Sequence, residues 1–164
     1  MRLNYFVSIA FSGAVWLAIG IFLLAKGLNF IVFAAHDGAS SACILPSLAP
    51  LIGGREQAAL MMIVLGLIIG FIKGRLILIK TVKRVVGRIL SMPSPIAIHK
   101  VYSWRYGLII ALMMGLGISM KWLHVPVDLR GLVDVAVGSA LINGALSYFR
   151  YAVAARNQKS MENN

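Results

Sequence analysis

An apolar stretch near the amino terminus limits the possible folds of this chain more than any other feature. It runs from about Tyr5 to Ala35, and Lys26 is the one charge that interrupts it. A helix crosses the ~30 Å hydrocarbon core of a membrane with roughly 20 residues, because each residue adds about 1.5 Å. The stretch therefore predicts a membrane-spanning helix, for which residues 5–25 already suffice.

Three more apolar stretches follow, and aromatic residues mark several of their ends, as is typical of membrane–water interfaces. Trp104 lies at the start of the third stretch, and Trp122 follows it. Only 13% of the residues are charged and 60% are hydrophobic, whereas about a quarter are charged in a soluble domain. The predicted fold is one all-α integral membrane domain, residues 1–164, with four transmembrane helices at about 5–25, 57–77, 104–121 and 132–152.

The charges divide unequally between the two sides of this predicted bundle. The side that holds both termini and the loop after the second helix carries twelve basic residues and one acid, Glu162, which accounts for the formal net charge of +11. Because cytoplasmic loops retain Lys and Arg, the termini are expected in the cytoplasm, and a bacterial inner membrane fits best. The other side carries charges that cancel, namely Lys26, Arg55, Lys121 and Arg130 against Asp37, Glu56, Asp128 and Asp134.

The second helix has no proline before Pro93, so it is longer than the membrane is thick. Its extension, residues 73–92, is amphipathic, and its apolar face carries Leu78, Val82, Val85 and Ile89. Each basic residue near an anionic leaflet contributes about 1 kcal/mol, so we expect membrane lipids with anionic headgroups as partners, and no nucleic acid. The predicted headgroup ligands are Lys73, Arg75, Lys80, Lys83, Arg84 and Arg88.

Two segments lie outside the predicted spans. Residues 43–52 contain Pro46 and Pro50 and are too short to cross a membrane. They form either a re-entrant loop that lines a pore or a loop on the outer headgroup layer, and the second is favoured because irregular backbone at depth needs protein or water around it. The polar tail, residues 156–164, is expected to be frayed.

Small residues recur four positions apart on the second and fourth predicted helices. Such strips allow close backbone contact, which drives helix association in lipid. We predict that the two strips pack together, within the chain or between copies; alternatively, they face a cavity. Their similar placement also suggests an internal repeat of two helical hairpins. The residues are Gly66, Gly70 and Gly74 on one helix and Ala136, Ala140 and Gly144 on the other.

Few polar side chains lie within the predicted spans. Asn143 and Ser139 are one helical turn apart and either bond a neighbouring helix or bind a solute. Asp134 can pair with Lys26 or with Lys121. If the protein transports a solute, Asn143, Ser139, Asp134 and Lys26 are the predicted path.

The sequence lacks paired buried carboxylates, a phosphate-binding loop and a nucleophile elbow, so we expect no enzyme. His36, Asp37, Cys43 and His124 have the chemistry of metal ligands without their spacing, and neither a metal nor a cofactor is expected. Two functions remain. One is a small transporter or channel acting as a homo-oligomer, and the other is a non-transporting scaffold or assembly subunit that binds anionic lipid and partner helices.

Overall fold

A computed structural model describes the backbone of residues 2–3, 5–36, 42–78, 96–97 and 117–162, and of positions 80, 82, 84, 87 and 115. Side chains are described over 9–36, 42–76 and 117–154 and at the same single positions. The predicted third helix, 104–121, lies mostly outside these residues.

Helices account for nearly all of the described residues. In chain order, α1 to α4 are Tyr5–His36, Ile44–Ile52, Arg55–Lys73 and Val127–Glu162, and a π-helix, Gly74–Leu78, continues α3. Within the described chain, the one strand pairing joins Arg2–Leu3 to Ile96–Ala97 in antiparallel register. The stretches Ile9–His36, Arg55–Leu76 and Val127–Ala154 are long and apolar enough to cross a membrane, as an integral membrane protein requires.

Two helices are longer than the predicted spans. α1 continues past residue 25 to His36, because no proline or glycine cluster interrupts the chain before Gly38. α4 begins at Val127 rather than near 132 and continues to Glu162. Residues 156–162 of the predicted polar tail continue α4, and they are rich in residues of high helix propensity such as Arg, Gln, Lys, Met and Glu.

α1 and α4 run antiparallel, and their backbones touch. Gly20 lies against Gly138, and Gly27 lies against Gly131. A Cβ atom at Gly27 would come within 2.7 Å of the backbone nitrogen of Val135, which leaves no room for a side chain. The contact repeats every seven residues, at Gly13, Gly20 and Gly27 of α1 and at Gly131 and Gly138 of α4.

α3 runs parallel to α4 and packs against another face of it. A Cβ atom at Gly70 would overlap the Ser139 Oγ and the Ala136 carbonyl oxygen. One at Gly74 would lie 2.8 Å from the Ala140 Cα. Because later glycines of α3 meet later residues of α4, the two helices point in the same direction.

Two clusters of buried side chains lie at opposite ends of the bundle. We call one end the cap end, where all four helices meet through Ile31, Leu45, Met62 and Val135. We call the other the basic end, where α1, α4 and the chain after α3 meet through Ile9, Trp16, Val82, Tyr148 and Ala152. The Trp16 and Tyr148 rings lie 5.8 Å apart there, between their centroids.

The π-helix realigns the chain after α3 with the bundle. Buried residues recur every four positions at Met62, Gly66, Gly70 and Gly74. In an α-helix of about 3.6 residues per turn, such a strip drifts around the axis by about 40° per step. A π turn is wider, with bonds between residues five apart, and counteracts this drift. Val82, two steps beyond Gly74, is accordingly buried in the basic-end cluster.

The close approach of α3 to α4 predicts that Gly70→Ala destabilises the protein. The added methyl group would have to displace the Ser139 Oγ and the α4 backbone, and overpacking of this kind costs about 1–3 kcal/mol. The measurement is thermal unfolding in detergent. The control is Gly117→Ala, because nothing lies within 4 Å of a Cβ atom at Gly117. Equal thermal stability of the two variants would contradict the packing.

Candidate functional site

The carboxylate of Asp128 caps the amino terminus of α2. Its Oδ2 accepts hydrogen bonds from the backbone N–H groups of Cys43, Ile44 and Leu45, at 3.0, 2.6 and 3.0 Å. Its Oδ1 accepts one from the N–H of Leu129 at 2.8 Å. Asp128 is fully buried, so these bonds replace its hydration. One carboxylate thereby serves the amino termini of both α2 and α4, where a negative charge is favourable.

Local turns place Asp128 at this position. Residues 117–122 are helical and end in a Schellman turn, in which the Val125 N–H donates to the Met120 carbonyl and the His124 N–H donates to that of Lys121. His124 has the left-handed φ of 51° that this turn requires. Pro126 follows and precedes the first residue of α4. The reversal therefore brings the first turn of α4 to the start of α2.

The segment predicted as an irregular loop, residues 43–52, is helical over Ile44–Ile52, and its position relative to the membrane stays a prediction. α2 covers residues Ile44–Ile52 and ends at Gly53, whose φ of 100° suits a glycine. Leu45 is 1% exposed and belongs to the cap-end cluster, whereas Leu51 is 83% exposed. The helix forms because Asp128 supplies acceptors for backbone donors that an uncapped nine-residue helix would leave unpaired.

Lys26 of α1 and Asp134 of α4 form an ion pair, with 3.3 Å between Nζ and Oδ2. The sequence allowed either Lys26 or Lys121 as the partner, and the structure brings Lys26 to Asp134. Lys26 Nζ also lies 5.3 Å from the centroid of the Phe30 ring. On the same ring lies the guanidinium of Arg130, at 5.1 Å. Lys26 and Phe30 are one turn apart on α1, and Arg130 and Asp134 are one turn apart on the facing helix α4.

Ser139 and Asn143 lie on a different face of α4 from Asp134. The single proton of the Ser139 hydroxyl is shared between the Leu67 carbonyl of α3, at 3.4 Å, and the Ala136 carbonyl of α4, at 3.3 Å. Asn143 follows one turn later and is half-buried. Asp134, in contrast, faces α1 through Lys26. Of the four predicted transport residues, Lys26 and Asp134 are thus in contact with each other. Ser139 and Asn143 lie on another face of α4, where Ser139 contacts α3.

The predicted headgroup ligands that the structure describes lie on its surface. Lys73, Arg75, Lys80 and Arg84 are all exposed. Val82 lies between the last two in sequence and is fully buried. Lys83 and Arg88 lie outside the described residues. At the described positions after the π-helix, Val82 therefore lies on the side toward the bundle, and Lys80 and Arg84 lie on the side away from it.

The predicted packing strips lie between α3 and α4 of one chain. Gly66 contacts Val135, and Gly70 and Gly74 contact the backbones of Ala136 and Ala140, as described above. Gly144, one turn later on α4, is buried.

Candidate metal ligands do not assemble in the described structure. His36, Cys43 and His124 are exposed, and Asp37 lies outside the described residues. Among the described side chains, no three or more of His, Cys, Asp and Glu come together.

The sequence interpretation missed two features. Asp128 was counted only as a charge in an outer loop, because nothing local links it to α2, whose first residues are more than 80 positions away. The second is the contact of α1 with α4, for which the sequence signal is the seven-residue spacing of Gly13, Gly20 and Gly27.

We expect Asp128→Ala to loosen α2, because it removes the acceptor of three backbone donors. The cost is roughly 2 kcal/mol or more, and Asp128→Asn should lie between this variant and the wild type since its amide oxygen still accepts. Trypsin cleavage after Arg55, which is exposed beside α2, should become faster. Glu56→Ala, which removes an exposed acid at the same end, is the control. Identical cleavage rates in the two alanine variants would show that Asp128 does not hold α2.

Comparison with known proteins gives no precedent for this site. No protein-family model, no curated protein and no solved structure matches the chain. Functional roles for its residues therefore follow from their geometry.

Proposed function

We propose that this protein is a non-transporting membrane scaffold or assembly subunit that binds anionic lipid headgroups at its basic end. The observation that carries the proposal is the contrast between Val82, which is buried with Tyr148 and Ala152, and Lys80 and Arg84, which are exposed. The bundle itself fixes this orientation. A docked basic surface binds lipid with less loss of conformational freedom than a loose segment would.

The charge of this surface favours anionic lipid. Lys73, Arg75, Lys80 and Arg84 are exposed, and Arg150 of α4 is exposed as well. Each contributes about 1 kcal/mol to attraction by an anionic leaflet at moderate salt. None of them takes part in an ion pair within the described structure, where Lys26 and Asp134 form the one pair. Their charge is therefore available to headgroups.

We propose a fourth span at residues 104–121, which completes the predicted bundle. α3 and α4 run parallel, so both begin at the cap end. The chain must return from the far end of α3 to the cap end before Val127 begins α4. The helical residues 117–122 that precede the turn at His124 support this route. Whether the two hairpins are an internal repeat stays a hypothesis.

We propose that the protein lies in the inner membrane of a bacterial cell. Its basic end and both termini then face the cytoplasm. The support is the charge distribution, since cytoplasmic segments retain Lys and Arg. The cap end would then face outward.

A second candidate function is transport, with the chain acting as a homo-oligomer. The ion pair of Lys26 and Asp134 favours it, because charges within membrane-spanning helices are costly and commonly line ion or solute paths. Against it, Ser139 is engaged by α3 rather than by a path that Asp134 shares. For this reason we place the scaffold first.

Lipid binding is tested with paired double variants. Lys80→Gln with Arg84→Gln should lower the ratio of anionic to zwitterionic lipid retained after purification from mixed liposomes. Loss of two contacts of about 1 kcal/mol corresponds to roughly 30-fold weaker binding at low salt. Arg55→Gln with Lys121→Gln, which removes two exposed charges at the cap end, is the control. If mass spectrometry finds the same lipid ratio in both, the proposed role is refuted.

The transport candidate predicts a flux that depends on the ion pair. Asp134→Asn should abolish uptake of the transported ion or solute by reconstituted vesicles, because it leaves Lys26 unpaired. Glu56→Gln, at an exposed acid, should leave uptake unchanged. Uptake that survives Asp134→Asn would remove this candidate.

The orientation predicts which side a thiol reagent reaches. Cys43 is the single cysteine and is exposed at the cap end, so a membrane-impermeant maleimide should label it in intact cells. In the Cys43→Ser background, Arg84→Cys should be labelled only in inverted vesicles. The opposite labelling pattern would place the cap end in the cytoplasm.

A further inference from the structure

Lys26, Phe30, Arg130 and Asp134 form a compact group near the cap end, which we call the Phe30 cluster. Lys26 Nζ lies 5.3 Å and Arg130 Cζ lies 5.1 Å from the centroid of the Phe30 ring. Lys26 also pairs with Asp134 at 3.3 Å. The cluster therefore holds two cations and one carboxylate within two facing helices.

The carboxylate of this cluster is already engaged. Asp134 is 12% exposed and its Oδ2 contacts Lys26. Arg130 is half-buried, and its described electrostatic contact is with the face of the Phe30 ring. One positive charge of the cluster thus has no carboxylate to balance it among the described residues.

The contact with Phe30 suits Arg130 for binding an anion. The ring attracts the charge of the guanidinium and offers no oxygen acceptor, so this contact leaves the N–H donors of Arg130 available to an acceptor such as a phosphate. A phosphate accepts two parallel hydrogen bonds from the edge of a guanidinium. Lys26 contacts the same ring, and its own charge is paired with Asp134.

The surroundings of the cluster favour a lipid as the source of this phosphate. Positions 22, 26, 30 and 33 are spaced by four, four and three residues, so they share one face of α1. Phe22 and Phe33 are exposed on either side of Lys26 and Phe30, at 68% and 54%. A free phosphate ion gains nothing from these rings, whereas an acyl chain covers them and gains apolar contact.

We propose that Arg130 binds the phosphate of a membrane phospholipid whose acyl chain lies along Phe22 or Phe33. This site is at the opposite end of the bundle from Lys80 and Arg84. It does not depend on the proposed lipid role of the basic end, and either one can fail alone.

The test counts phospholipids that remain on the protein after delipidation in detergent, by native mass spectrometry. Arg130→Gln should reduce retention roughly tenfold, as expected for the loss of charge-assisted hydrogen bonds. Arg130→Lys should bind at an intermediate level because it keeps the charge and loses the two-pronged edge. The control, Arg55→Gln, removes an exposed guanidinium at the same end and should retain lipid as the wild type does. Equal losses in Arg130→Gln and Arg55→Gln would overturn the site.

Two further measurements keep the proposal testable if Arg130→Gln does not fold. Phe30→Leu keeps all charges and removes the ring that orients Arg130, so it should also lose lipid while retaining the wild-type circular dichroism spectrum. Inorganic phosphate, followed by its ³¹P resonance, should neither bind the delipidated protein nor displace the lipid. Binding of inorganic phosphate in place of lipid, or full lipid retention by Phe30→Leu, would refute the proposal.

Discussion

The close contact of helix backbones through glycine is the interaction on which the rest of the structure depends. In lipid, apolar side chains gain little by exchanging acyl chains for one another, so helices associate through close packing and interhelical hydrogen bonds. α4 uses two faces for this purpose, one against the glycines of α1 and one against Gly70 and Gly74 of α3. It is therefore the central helix of the described bundle. Ser139 shows the consequence, since its hydroxyl reaches the Leu67 carbonyl only because Gly70 has no side chain in the way.

The two ends of the bundle use charge in different ways. At the cap end, Asp128 is buried and its oxygens accept backbone hydrogen bonds, while Asp134 is held by Lys26. At the basic end, Lys80 and Arg84 are exposed, whereas Val82, which lies between them in sequence, is buried in the core. The two acids Asp128 and Asp134 thus hold elements together at the cap end, whereas the described basic residues of the opposite end are exposed and form no ion pair with a described residue.

The spacing of residues within one helix predicts which face of that helix packs closely against another helix. Four-residue spacing of Gly66, Gly70 and Gly74 predicted close packing of their helix, and the structure supplies the partner residues on α4. The sequence predicts either Lys26 or Lys121 as the partner of Asp134, and the structure shows Lys26. Spacing could not reveal the Asp128 cap, because it joins residues far apart in the chain. Nor could hydropathy show that residues 43–52 are helical, since that helix depends on the cap.

The direction of α3 relative to α4 is tested most directly by distances between spin labels in the Cys43→Ser background. Two doubly labelled variants are compared, one with Leu146→Cys and Lys73→Cys and the other with Leu146→Cys and Leu60→Cys. All three positions are exposed. Thirteen residues separate positions 60 and 73, or roughly 20 Å along the helix. The parallel arrangement predicts that position 146 is nearer to 73 than to 60 by an amount of that order. The reverse order of distances would contradict the parallel packing and, with it, the route of the chain through the membrane.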